Sequence, residues 1–314
     1  MIADPMFAAV GAGAIGFLAL ATLVGLVLAR HAETPAGRDT VANLNARIRS
    51  WWGIVAVFGA AILFGSLVTL ALFAVLSFLA FREFISLTPT RPGDHRSLFL
   101  AFFIVVPLQY WLIGIHWYGL FSIFIPVYVF LLLPALSAVA GDTTDFLARN
   151  AKLQWGLMLS VFAISHAPAL LLLDLPGYQF PNALLLLYLI VVVQLSDVFQ
   201  YVFGKLFGHT KLSPAVSPSK TLEGLLGGGV TAVLIGAALA GMTPFSPLQA
   251  AGMSAVIVIG GFFGGFVLSA IKRDLGVKDW GRMIEGHGGI LDRMDSVSFA
   301  SPLFFHLTRY WFAA

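Results

Sequence analysis

Residues 272–295 read KRDLGVKDWGRMIEGHGGILDRMD, a concentration of charge in a chain that is only 11% charged. Asp292 and Asp295 stand three apart, which on a helix turns both carboxylates to one face, as a divalent cation requires. Arg293 lies between them and points elsewhere. Lys272, Arg273, Lys278 and Arg282 offer donors for phosphate oxygens. Gly286, Gly288 and Gly289 flank His287, so the backbone there can approach a ligand closely. Carboxylates for a metal, cations for phosphates and pliable backbone together suit phosphoryl or nucleotidyl transfer. The competing reading is a basic loop beside a membrane helix with incidental acidic neighbours. It leaves the glycine–histidine run unexplained.

A second constellation lies at 196–224, SDVFQYVFGKLFGHTKLSPAVSPSKTLEG. Asp197 sits late in an apolar run, and an ionisable group at membrane depth is a functional candidate by default. The alternative is a carboxylate that simply reaches the interface. Downstream, Ser217, Ser219, Lys220 and Thr221 gather hydroxyls around one lysine, suited to a nucleotide phosphate, and the neighbouring glycines and prolines predict an ordered loop. His166 reads as a hydrogen-bonded helix contact, and His116, His209 and His306 carry no spacing signal. GLLGGG at 224–229 lacks a Walker lysine and opens an apolar span, so it predicts close helix packing.

The elements that must position these groups are membrane helices. Apolar residues form 59% of the chain and mean hydropathy is +0.92. A soluble domain is about 45–50% apolar and about 25% charged, so lipid must solvate much of this surface. The absence of cysteine excludes disulfides, thiolate metal sites and cysteine nucleophiles. Spans are expected at 7–29, 97–114, 117–140, 154–173, 183–203, 225–243, 247–269 and 297–313, the first a retained helix rather than a signal peptide. The uncharged run 51–81 is too long for one upright crossing and is read as a hairpin turning near Gly65-Ser66. The polar stretch 38–50 is expected to lie as an interfacial amphipathic helix anchored by Trp51 and Trp52. With about ten helices and the N-terminus outside, every basic residue except Arg309 falls on the cytoplasmic face. The expected fold is thus an all-α, polytopic membrane helical bundle of about ten transmembrane helices, with its active site at that face. Residues 1–182 would form a lipid-facing support region and 183–314 the catalytic region, within one membrane unit. The localisation expected is a bacterial inner membrane.

The ordered residues Ser269, Ile271, Lys272, Arg273, Lys278, Asp279, His287, Gly288, Gly289, Ile290, Asp292, Arg293, Met294 and Asp295 resemble the signature of the phosphatidate cytidylyltransferases, the CDP-diacylglycerol synthases. Asp197, Gly204, Lys205, Gly208, Leu212, Pro214, Ser217, Pro218, Lys220, Thr221, Glu223 and Gly224 are similar to a second block of that family. The resemblance covers about 196–296 and is only hydropathic upstream. It implies transfer of CMP from CTP to phosphatidate, releasing pyrophosphate, with Mg²⁺ and a monovalent cation such as K⁺ as a candidate second ion. By this resemblance Asp292, Asp295, Lys272 and Arg273 would be catalytic. Ser217, Lys220, Thr221, Lys278, His287, Gly288, Gly289 and Arg293 would bind substrate phosphates. Metal would sit on Asp292 and Asp295. No nucleic acid is expected as a partner, and a homodimer is a family-level expectation.

The sequence departs from the pattern at three places. Gly265 and Leu268 stand where an aspartate and a glutamate are usual, and Glu285 where a small residue or proline is. A lost acid at Gly265 would leave Asp197 or Asp279 to complete the metal site. It also raises the alternatives of a catalytically impaired paralogue that binds lipid phosphate or CTP, or of a membrane lipid transporter.

Overall fold

A computed structural model describes residues 5–31, 34–284 and 288–313 of the chain. Among the described residues, eight helices are long and apolar enough to cross a membrane. Seven come first: α1 Pro5–His31, α2 Pro35–Phe64, α3 Ser66–Ser86, α4 Pro92–Gly114, α5 Tyr118–Val139, α6 Phe146–Leu172 and α7 Ala183–Phe207. A two-stranded antiparallel hairpin follows, β1 Lys211–Ser213 and β2 Ser217–Thr221. Then come α8 Leu222–Ala238, a shorter apolar helix, α9 Pro247–Asp274, the eighth long span, and the less apolar α10 Leu291–Phe312. The fold is an all-α polytopic bundle. The chain is an integral membrane protein.

The run 51–81 does turn at Gly65, whose φ of 108° lies in the left-handed region that favours glycine. Phe58 and Phe73, on opposite sides of that turn, bring their ring centroids to 6.0 Å, so α2 and α3 run antiparallel. The interfacial helix expected at 38–50 is absent as a separate element, because the chain is helical without a break from Pro35 to Phe64. Thr34 caps this helix by accepting from the Gly37 amide, Pro35 occupies its first turn, and nothing within it breaks the helix. Asn45 of the 38–50 stretch and Trp52 just beyond it bond to α1: Asn45 Nδ2 donates to the Gly25 carbonyl (3.4 Å) and Trp52 Nε1 to Thr22 Oγ1 (3.1 Å). Trp52 is therefore a partner for a neighbouring helix.

Helix ends also differ from expectation in a way that matters for the chemistry. Helix α9 runs on through Lys272 and Arg273, and α10 begins at Leu291, so Asp292, Arg293 and Asp295 are helical. The 270–296 loop shortens to the connection between α9 and α10. Helices α7 and α8 form a tight antiparallel pair, as GLLGGG predicted: a Cβ on Gly228 would collide with the backbone of Gln200. That pairing carries β1–β2 against the end of the bundle. Thr221 caps α8 through the Gly224 amide (3.1 Å), and Glu223 accepts from the amides of His209 and Thr210.

At the same end, the connections around α4 to α6 are tied by ions. Arg91 Nε meets Asp142 Oδ2 at 2.8 Å, and Arg149 Nη1 reaches the same oxygen at 2.9 Å and Asp94 at 3.6 Å. The opposite end closes with Tyr178 donating to the Met242 carbonyl (2.7 Å). Helix α1 packs chiefly on α2 and leaves Phe17, Leu20 and Leu23 exposed, a surface stable only against lipid.

Candidate active site

Four helices deliver the charged groups. Helix α3 brings Glu83, α7 brings Asp197, α9 brings Gly265 and Lys272, and α10 brings Asp292, Arg293, Asp295 and Ser296. Strand β2 adds Ser217, Lys220 and Thr221.

Asp292 is held on every side. Lys272 Nζ lies 2.8 Å from its Oδ1, and both side chains are buried. The amides of Trp280 and Gly289 donate to its Oδ2 at 2.8 and 2.9 Å. A carboxylate so fixed gathers the two halves of the α9–α10 connection around itself. Next to it, Glu83 accepts from the amides of Ile290 (2.9 Å) and Leu291 (2.9 Å).

Asp295 sits in different company. Its Oδ1 accepts from the Ser296 amide at 2.7 Å, and it lies within electrostatic range of Lys272, Arg293 and Lys220. Asp197 belongs to the same cluster, beside the Ser296 hydroxyl and within range of Asp295, Lys220 and Arg293. Lys220 reaches in from β2, donates to the Phe262 carbonyl (3.2 Å) and stands 4.5 Å from the Phe262 ring centre. Burial pushes the Lys220 ammonium below the ordinary lysine range, while Asp197 and Asp295 pull it back up. Gly265 borders this cluster: a Cβ there would lie 3.2 Å from Lys220 Nζ and 3.6 Å from both Asp295 Oδ2 and Ser296 Oγ. The Nε of Arg293 is buried without a hydrogen-bond partner among the described residues, a donor free for a ligand oxygen.

The residues singled out in the sequence therefore separate. Lys272, Asp292, Gly288 and Gly289 form one socket, with a Cβ on Gly288 reaching 2.7 Å from Asp292 Oδ2. Asp197, Lys220, Arg293 and Asp295 form the other cluster. Arg273, Lys278 and Asp279 are exposed, and Arg273 Nη1 donates to the Val277 carbonyl (3.0 Å). Ser217 and Thr221 are buried at β2. His287 lies outside the described residues. The four acids proposed for metal do not converge as one set: among the described residues no three acidic or histidine side chains form a metal-ligating group. A pair remains, Asp197 and Asp295 with the Ser296 hydroxyl. Hard oxygen donors in that number fit Mg²⁺, which keeps several waters and takes one or two carboxylates plus substrate phosphates.

Sequence reasoning missed Glu83, Trp280 and Ser296. Glu83 carried a readable signal, an acid near the end of an apolar helix, the same signal that marked Asp197. Trp280 and Ser296 carried none, because Trp280 acts through its amide and its packing, and the Ser296 hydroxyl meets Asp197 only in the folded chain. His166 proves to be a packing residue, its Nδ1 2.7 Å from the Phe162 carbonyl and its ring amid Phe121, Phe162 and Phe305.

Fold and site together define a polytopic membrane protein with a charged, phosphate-suited cluster at one end of its helices. The cytidylyltransferase family profile matches residues 45–311, and the chain belongs to that family. It is 43% identical over 296 residues to the uncharacterized protein YnbB of Escherichia coli K12, covering 93% of this chain and 95% of that protein. It is 41% identical over 120 residues to a phosphatidate cytidylyltransferase of Staphylococcus aureus, covering 38% of this chain and 46% of that protein. A Staphylococcus saprophyticus phosphatidate cytidylyltransferase is 40% identical over the same length, again with 46% of that protein covered. The match thus spans less than half of those enzymes.

Proposed function

We propose that the protein transfers CMP from CTP to phosphatidate, giving CDP-diacylglycerol and pyrophosphate, at the cytoplasmic face of a bacterial inner membrane. The observation that carries this reading is the pairing of a cation-fixed socket at Asp292 with the Asp197–Asp295–Lys220–Arg293 cluster. Basic residues at that end attract both CTP and an anionic headgroup. A phosphate oxygen of phosphatidate attacks the α-phosphorus of CTP. The new phosphorus–oxygen bond forms as the bond to the β-phosphate breaks, and the electron pair leaves with pyrophosphate. Arg293 offers its unpartnered Nε to the phosphates, and exposed Arg273 and Lys278 collect the triphosphate. Asp197 and Asp295 would hold Mg²⁺, whose charge, when bound, offsets that on the transferring group.

The test is transfer of label from cytidine-labelled CTP into the organic phase by the purified protein. Label should appear only with phosphatidate and Mg²⁺ together. Its absence from correctly folded protein rejects the reading.

Gly265 favours a second reading, a relative that binds these ligands but turns over slowly. An aspartate at 265 would sit beside Lys220, Asp295 and Ser296, its Cβ fitting once the end of the Lys220 side chain gives by a few tenths of an ångström. If Gly265→Asp raises turnover while CTP binding holds constant, the native chain is the impaired form. Unchanged turnover supports the active reading, in which Asp197 and Asp295 suffice.

A further inference from the structure

The geometry points to Glu83 as a positioning residue: an acid on α3, outside the charged segments, that fixes the start of α10 and with it Asp292 and Asp295. This rests on the transferase reading above and goes beyond it in bringing the N-terminal half into the site.

Helix α10 has no cap of its own. Ile290, the residue before it, is helical and apolar, and no local side chain accepts from the first-turn amides. Uncapped amides at a buried helix start cost free energy unless satisfied. Glu83 satisfies the cap-residue amide and the first helical amide from more than 200 residues away, one oxygen to Ile290 and the other to Leu291. Its negative charge also suits the positive end of the helix dipole. The carboxylate fits there only because of glycine. A Cβ on Gly281 would lie 2.8 Å from Glu83 Oε1, and one on Gly289 would collide with Glu83 outright.

The next residue of α3 adds a second hold. Phe84 stacks on Trp280 at 5.2 Å with the rings 22° apart, and Trp280 is 2% exposed. The Trp280 amide in turn donates to Asp292. Consecutive residues of α3 therefore grip both sides of the α9–α10 connection, Phe84 through Trp280 and Glu83 through residues 289–291. Asp292 is bonded to both gripped segments, through Trp280 and Gly289. With the Ile290 and Leu291 amides already occupied by Glu83, substrate phosphates are left to the lysines and arginines.

The experiment compares wild type, Glu83→Gln and Glu83→Asp, each full-length in lipid nanodiscs. Hydrogen exchange by mass spectrometry reads the clamp without needing activity. In Glu83→Gln, exchange should rise over 280–292 and stay unchanged along α3 and the rest of α10. Turnover per folded molecule should fall roughly 10–100-fold, the usual cost of losing a group that orients a functional side chain. The KM for CTP should hardly move, and Glu83→Asp, one carbon shorter, should recover part of the rate. No local rise in exchange overturns the proposal. So does a rise spread along α3, or a rate that falls only with the folded fraction. If wild type transfers no label, the transferase reading fails, while the exchange result still decides whether Glu83 is the clamp.

Discussion

Asp292 and Asp295 stand one helical turn apart on α10, yet they live in opposite circumstances. Asp292 has a buried ammonium on one oxygen and two backbone amides on the other. Asp295 has its hydrogen-bond donors, the Ser296 amide and hydroxyl, on Oδ1, with a second carboxylate, Asp197, in electrostatic range. A saturated carboxylate holds a structure together. One left with spare oxygen valence beside another acid and a half-buried lysine is suited to a cation or a ligand. The difference teaches that two acids of one motif can stand in unlike surroundings: Asp292 is tied into the socket with Lys272, and Asp295 lies in the cluster with Asp197 and Lys220.

Removing the charge at Asp292 is the severest way to test that division. Asp292→Asn leaves Lys272 charged and buried without its partner, a loss of about 3–5 kcal/mol. Thermal unfolding in detergent should show a strongly destabilised protein, with turnover lost alongside. Asp295→Asn should unfold close to wild type, because it also relieves repulsion with Asp197. Its turnover should nevertheless fall roughly 10²–10³-fold, the size of losing one charge-stabilising group. Equal destabilisation by the two variants would erase the distinction.

A double variant then sharpens it. Lys272→Met together with Asp292→Asn removes both charges of the buried pair, and such replacements are often near neutral for stability. Unfolding should recover more than half of what Asp292→Asn lost, while turnover stays low because Lys272 is absent. A double variant no more stable than Asp292→Asn would show that the loop amides, rather than the ion pair, set the stability of the socket.

Much of this arrangement was legible in the sequence because it is written in local pattern. Apolar run length gave the membrane helices, the length of 51–81 gave the hairpin at Gly65, and GLLGGG gave the close pairing of α7 and α8. Asp197 was legible as an acid late in an apolar run, and it joins the charged cluster. The failures share one physical cause, partners distant in sequence. The 38–50 stretch looked interfacial because it is polar and runs into Trp51 and Trp52, while the Gly25 carbonyl that Asn45 meets and the Thr22 hydroxyl that Trp52 meets lie on α1, far off in sequence. For Asp292 the spacing to Asp295 was visible, while the amides of Trp280 and Gly289 that bond to it were not. Glu83 meets its partners across more than 200 residues, a separation no periodicity reports.

The smallest expected effect belongs to the ion network at Asp142, which shares the charged end of the bundle but none of the chemistry. The hydrogen bond from Arg91, reinforced by the Thr144 amide and Arg149, holds the Asp142 carboxyl well below the usual carboxylate range. A carboxyl depressed in the folded state adds stability that is complete above its ordinary value of 3.8 and drains away as pH falls beneath it. The Arg91 side chain is 47% exposed, so salt and water keep the contribution modest. The difference in unfolding temperature between wild type and Asp142→Asn should therefore be small and constant through neutral pH. It should narrow only in acid, as Asp142 itself takes up a proton. Turnover per folded molecule at neutral pH should match wild type, in contrast to Asp295→Asn. A gap that widened in acid would reverse the sign of the linkage and show that Asp142 is held protonated rather than ionised.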